Sequence, residues 1–167
     1  MVRIGKIAGT RGLQGAVVLT HVVGSAAWLK EGLPLFVELR KDSRIPYFVS
    51  RVERAGDEEC VVLLEDISGV EAARPLVGKA IYVESPVLEK GADERSPLRW
   101  IGYKLVDKTL GGLGPIEDVM QAGAQWLAQI KKDEKEVLIP LVDAFILEVN
   151  TRNKYVRMDL PEGLLDL

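Results

Sequence analysis

The sequence predicts a mainly β protein built as two small β-barrel domains joined by a linker. Three observations carry that expectation. Over residues 1 to about 84, short apolar runs at 3–8, 16–20, 35–40, 45–54, 60–64 and 79–83 alternate with glycine-rich or charged turns, the rhythm of a small antiparallel barrel. Residues 86–97 are charged and framed by Pro86 and Pro97, a linker by composition. Beyond them strand-like runs resume at 104–107, 114–119, 126–131 and 136–139, and β-branched runs then flank the turn 150–153. The domains are accordingly placed at 1–85 and 98–167, with 86–97 as the linker.

One helix is expected, over 69–78. Ser68 stands where an N-cap would, Glu71 follows three positions later, and Gly78 supplies a stop. Pro75 must shorten or bend that helix, because its ring removes a donor and clashes with the preceding turn. At the other end, Pro161 and Gly163 stop the last strand, and Leu164, Leu165 and Leu167 form an apolar tail expected to pack.

With 47% hydrophobic and 28% charged residues the composition is that of an ordinary globular protein. Apolar stretches fall far short of the roughly 20 residues of a membrane span. The start, Met1-Val-Arg-Ile-Gly-Lys6, shows no apolar core leading to a cleavage site. A single cysteine, Cys60, rules out an internal disulfide and suits a reducing cytoplasm. Lys and Arg number 22 against 25 Asp and Glu, for a net charge of −3. A protein held to nucleic acid mainly by phosphate contacts is usually clearly basic. This balance favours a basic protein partner instead, with room for a local basic patch.

The densest glycine cluster, Gly5 to Gly15, matches neither a dinucleotide fingerprint nor a P-loop: no helix follows it and no lysine precedes a Ser or Thr. It reads as a strand–loop–strand that exposes Arg11. His21 and Cys60 are the only residues of their kinds. Nothing in the sequence places them together, and Cys60 lies in an apolar strand pattern, so neither is expected to be catalytic. The scarcity of ligands also excludes a zinc site, and no cofactor is expected. Most carboxylates flank turns, where solvated charge is the default. Asp143, within an apolar run, is the exception, expected to be buried or half-buried and to accept backbone N–H bonds in a turn. After the linker come Arg95, Arg99, Trp100 and Tyr103, a mixture of arginine and aromatic residues typical of interfaces. Trp126 is expected in the core.

Several of these segments together resemble the RimM family of ribosome maturation factors. The opening resembles Gly5-Lys6-Ile7…Gly12-Leu13-Gln14-Gly15, and the end of the first domain resembles Gly69-Val70…Ala72-Ala73…Leu76-Val77-Gly78. The second domain is similar at Ile101-Gly102, Leu113-Gly114-Pro115-Ile116, Ala122-Gly123-Ala124, Val137-Leu138-Ile139-Pro140…Val142-Asp143 and Asp159-Leu160-Pro161-Glu162-Gly163. The match spans nearly the whole chain in order, and the terminal block is its most specific part. Two departures stand out. Arg11 occupies a place that is usually histidine. The tyrosine pair that many members carry before a tryptophan is replaced by Arg95-Ser96-Pro97-Leu98-Arg99-Trp100.

The resemblance implies a translation-factor-like first barrel and a second called a PRC barrel. It implies a non-enzymatic assembly factor that binds the head of the immature 30S subunit through ribosomal protein nineteen and supports processing of 16S rRNA. Local contact with that rRNA is left open. A cytoplasmic monomer with no membrane association is expected. Arg95, Arg99 and Trp100 stand in for the missing tyrosine pair as the contact, with Tyr103 and Arg11 beside them. Two other classes compete: an enzyme holding a flavin or nucleotide in a barrel, and an interaction module with no ribosomal role.

Overall fold

The structure, a computed structural model, describes residues 1–93 and 95–166. The chain divides into two units, Met1–Ser96 and Pro97–Leu167. In the first, β1 (Val2–Arg11), β2 (Ala16–His21), β3 (Pro34–Arg40), β4 (Ser43–Ala55), β5 (Glu59–Leu64) and β6 (Ala80–Val83) close into a barrel. The strand order is β1-β2-β5-β4-β3-β6, antiparallel throughout. Closure leaves no unpaired sheet edge. Inward positions are those the apolar alternation marks: Val17 and Leu19, Leu35 and Val37, Ile81 and Val83 are all buried.

β1 departs from simple alternation. Ile4 and Ile7 are both fully buried although three residues apart, because the register with β6 shifts between Arg3 and Gly5; a second shift, against β2, follows between Ile7 and Gly9. The first shift turns Ile7 inward and Lys6 outward. Gly5 makes this possible, since a Cβ there would lie 1.8 Å from the Thr20 carbonyl oxygen.

The predicted helix is shorter than expected and differently capped. α1 spans Val70–Ala73 and passes into a 3-10 turn, Arg74–Leu76, which contains Pro75. The N-cap is Gly69, at φ 85°, with no side-chain cap bond, so Ser68 and Glu71 do not form a capping box. Glu71 instead pairs with Arg74 at 3.0 Å. The segment read by composition as a linker carries a second helix, α2 (Ser85–Gly91), with Leu88 buried. Pro86 suits a first helical turn, where its missing N–H costs nothing. Gly91 packs so tightly that a Cβ would fall 2.4 Å from the Trp28 Cα, and the Ser25 hydroxyl donates to its carbonyl at 3.1 Å. Glu94, also in that segment, lies outside the described residues.

The second unit opens with a 3-10 turn, Pro97–Trp100, followed by β7 (Lys104–Asp107), β8 (Gly111–Pro115), β9 (Asp118–Ala122), β10 (Gln125–Lys132), β11 (Lys135–Pro140), β12 (Ile146–Asn150) and β13 (Tyr155–Met158). They form two sheets, ordered β11-β10-β9 and β12-β13-β7-β8. The run 114–119, expected as one strand, is broken at its middle. Buried Ile116 forms the corner between sheets: its N–H donates to the Tyr103 carbonyl, and its carbonyl accepts from Gly102, both at 2.8 Å. Pro115 ends β8 there, because it cannot extend a ladder. β13 pairs in parallel with β7, Val156 opposite Leu105. Their core includes Leu105, Val119, Ala128, Ile130, Ile139, Val156 and Met158. Trp126, expected in the core, is only half-buried. Leu164 and Leu165 are half-buried in a final 3-10 turn, Leu164–Asp166; Leu167 lies outside the described residues.

Candidate interaction surface

The barrel brings His21 and Cys60 into contact, although the sequence offered no sign of it. Leu19 lies opposite Cys60 in the β2–β5 ladder, and the thiol reaches the imidazole Nε2 at 3.4 Å. The hydrogen bonds fix the protonation of the pair. Nδ1 accepts from the Val23 N–H at 3.3 Å, so the ring proton sits on Nε2 and is donated to the Gly56 carbonyl at 2.9 Å. Burial pushes the His21 pKa down, against the pull of the Gly56 carbonyl and of Asp57 and Glu58. Burial likewise pushes the Cys60 thiol up, and the thiol points at the same carbonyl at 3.5 Å. A neutral imidazole beside a protonated thiol is the reverse of a nucleophilic pair, which needs thiolate and imidazolium. His21 also meets Trp28 edge to face, with centroids 5.3 Å apart. The cluster is part of the core.

Carboxylates are arranged in the same structural spirit. Asp143, expected to be at least half-buried, is exposed, because the apolar run breaks after Pro140 into a turn where its carbonyl accepts from Ile146 at 3.3 Å. Among the described residues the buried carboxylate is Asp107. It accepts the N–H groups of Thr109 and Leu110 at 2.9 and 2.8 Å and of Leu160 at 3.0 Å. Burial raises its pKa, but the backbone donors of Leu110, Leu160, Thr109 and Lys108 outweigh burial and hold it below the ordinary range. Among the described residues no group of three or more His, Cys, Asp or Glu is placed to hold a metal ion. No helix of the described residues is long and apolar enough to cross a membrane.

The residues singled out for partner contact fall in two places. Arg99, Trp100 and Tyr103 share the turn that opens the second unit, and Arg95 precedes it. Arg95 is exposed, its N–H bonded to the Asp93 carboxylate at 2.8 Å. Arg99 and Tyr103 are half-buried. Trp100 is 7% exposed, so it braces the turn and offers little surface of its own. The Tyr103 N–H donates to the Trp100 carbonyl at 2.9 Å.

Arg11 belongs to the β1–β2 hairpin of the first barrel and is exposed at the end of β1. Two glycines with positive φ, Gly12 at 74° and Gly15 at 83°, shape the hairpin tip. A Cβ on Gly15 would meet the Gly69 carbonyl oxygen at 2.3 Å, and the Gly69 N–H donates to the Gln14 carbonyl at 3.0 Å. The loop is thereby held against the start of α1. It presents Leu13, 92% exposed, beside Arg11. Leu13 was not singled out in the sequence, where a leucine between glycines carries no mark of exposure.

Comparison with known proteins agrees with this two-part architecture. Residues 2–88 match the RimM N-terminal domain, and residues 99–164 match the RimM PRC barrel domain. The ribosome maturation factor RimM of Flavobacterium johnsoniae is 31% identical over 166 residues, covering 98% of this chain and 94% of that protein. The factors of the same name from Christiangramia forsetii and Parabacteroides distasonis are each 30% identical, over 98% and 99% of this chain and 94% and 95% of their own lengths. A solved structure, that of a 16S ribosomal RNA processing protein RimM from Pseudomonas aeruginosa, is 19% identical. It covers 96% of this chain and 97% of that one with a TM-score of 0.39. Carrying both domains in order and matching its relatives over nearly their full length, the chain belongs to the RimM family.

Proposed function

We propose that this chain is a non-enzymatic assembly factor for the small ribosomal subunit. In this reading it binds the head of the immature 30S subunit through ribosomal protein nineteen and supports processing of 16S rRNA. The observation that carries the proposal is full-length similarity, in both domains, to proteins named ribosome maturation factor RimM. The chemistry of the chain supports it. The Cys–His contact is held in its unreactive protonation state, and the buried carboxylate is occupied by backbone donors. A net charge of −3 suits a basic ribosomal protein as partner. A single buried thiol suits a cytoplasmic setting. We place the functional division of the chain between the first barrel and the unit that begins near residue 97.

The residues we propose for contact are Arg11 and Arg95 in the first unit and Arg99 and Tyr103 in the second, where Trp100 braces their turn from within. Purified protein is titrated against isolated 30S subunits and against ribosomal protein nineteen, at moderate and high salt. Saturable binding to both, weakened by salt, is the expected result. Binding to neither overturns the assembly reading. Alanine at Arg95, Arg99 and Trp100 together should weaken subunit binding at least about 10-fold, the scale of one interface hot spot. Unchanged affinity would remove that contact from the proposal.

A further inference from the structure

The outward side of the first barrel carries a feature that the acidic composition hides. In the ladders β1–β6, β6–β3 and β3–β4, Arg3 lies opposite Tyr82, Tyr82 opposite Phe36, and Phe36 opposite Pro46. Directly opposed residues share a face, and the alternating neighbours Ile4, Ile81 and Val37 are buried. A cation, two aromatic rings and a proline therefore form one outward row across four strands, spanning roughly 14 Å at the usual strand spacing. The Arg44 guanidinium lies 3.9 Å over the centre of the Tyr82 ring. The Tyr82 hydroxyl donates to Glu38 at 3.1 Å, while the other Glu38 oxygen accepts the Asp42 N–H at 3.1 Å.

Beside this row is an open depression of about 370 Å³, lined among others by Arg3, Arg40, Lys41, Lys79 and Glu38. Cations predominate there. Arg3, Arg40 and Lys41 are exposed and Lys79 is half-buried, and Glu38, the carboxylate among them, feels the charges of Arg44 and Arg3. Glu38 is committed to the tyrosine and to the turn.

We infer that this face is a binding surface for single-stranded RNA. Arg3, Arg40, Lys41 and Lys79 meet the phosphates, and the exposed Arg44 guanidinium stacked on Tyr82, with half-buried Phe36 beside that ring, offers bases a surface to stack on. Guanidinium forks fit phosphate oxygens in pairs. Aromatic rings set among cations are the usual platform for unpaired bases, whatever their sequence. An acidic protein would be served by the cations but would have no use for the row. The inference deepens the assembly reading, on which it rests for the source of the RNA.

The test is fluorescence anisotropy of the full chain with an unstructured RNA oligonucleotide of about a dozen nucleotides, within the range of single-strand site sizes. A polyglutamate peptide serves as the acidic control, and co-sedimentation with 30S subunits runs in parallel. Wild type should bind the RNA saturably and salt-dependently. Joint reversal of Arg3→Glu, Arg40→Glu, Lys41→Glu and Lys79→Glu should weaken it at least about 10-fold. It should also lower the log–log salt slope by about 3, four phosphates at ~0.7 each. Arg3→Lys with Arg40→Lys should retain most binding. If circular dichroism shows the fourfold variant unfolded, the pair Arg40→Glu and Lys41→Glu, at the β3–β4 turn, gives the reading.

RNA binding that is absent at low salt, or indifferent to the reversals, overturns the inference, as does equal, reversal-sensitive binding of polyglutamate. Each of those results with subunit binding intact leaves the assembly reading standing. Reversal-sensitive RNA binding by a chain that ignores 30S subunits supports the surface and sinks the assembly reading.

Discussion

Asp107 ties two distant places in the chain to one buried carboxylate. Its oxygens hold the turn after β7 through Thr109 and Leu110, and the exit from β13 through Leu160. Asp107→Ala would orphan those donors, and hydrogen bonds to a charged group are worth more than neutral ones. The expected loss is about 3 kcal/mol, measured as urea-unfolding free energy at neutral pH. A loss under about 0.5 kcal/mol would mean water replaces the carboxylate without penalty. The carboxyl titrates lower when folded than when unfolded. Its stabilisation is therefore complete above the unfolded range near ~3.9 and is lost as pH falls through the folded value.

His21 acts in the same direction for a different reason. Its folded pKa is lowered, so the unfolded chain binds the proton first and stability falls as pH drops below roughly 6.5. Thermal midpoints of the wild type should decline between about pH 7 and pH 5, and His21→Gln should flatten that slope even if it lowers every midpoint. An unchanged slope in the variant would assign the effect elsewhere. Neither role was legible beforehand. His21 meets Cys60 across 39 residues of sequence, a contact created only by the β2–β5 register. The apolar neighbours of Asp143 suggested burial that the break after Pro140 removes.

At the scale of elements, alternation revealed the strands but not their registers. The pattern in β1 places Val2 and Ile4 inward; it does not announce the shift between Arg3 and Gly5 that brings Ile7 in as well. Helix α2 escaped notice because charge and flanking prolines dominate its composition, while its anchoring rests on Leu88 and on a glycine. That anchoring is testable. Gly91→Ala pushes a methyl against the Trp28 backbone and should cost about 1–3 kcal/mol. Gly112→Ala, with nothing within 4 Å of its Cβ, should stay within about 0.5 kcal/mol. Equal effects in chemical denaturation would show that α2 yields freely. The hairpin tip is another case: the glycines forecast the loop, but Leu13 became visible as surface only once Gly15 was seen pressed against Gly69.

At the scale of the molecule, each unit has its own buried set, Ile4, Leu19, Leu35 and Ile81 in one and Leu105, Ile130, Ile139 and Met158 in the other. A fragment of residues 1–96 should therefore fold without the rest. Trp28 is its only tryptophan and is 2% exposed, so its emission should be that of a buried indole and should shift in one cooperative transition. A fragment with solvent-exposed emission would show that the barrel depends on the second unit. The two-part fold was legible because strand rhythm and a terminal block survive in any register. The site was less so. Arg99 and Tyr103 could be picked out by type, whereas the burial of Trp100 and the cationic row around Tyr82 depend on which strands become neighbours.

The parallel pairing of β13 with β7 sets an order in time. During synthesis the first barrel has all its strands once Val83 is free, but β7 has no β13 to pair with until Met158 emerges. At about 5–20 residues per second that interval lasts roughly 4–15 s. From its own synthesis until Met158 emerges, about 53 residues or roughly 3–11 s, Leu105 lacks the Val156 that lies opposite it. A nascent chain paused between those points would carry a finished barrel and an adhesive, incomplete neighbour. Slow codons placed late in such a gene would raise its demand for chaperones far more than slow codons placed early.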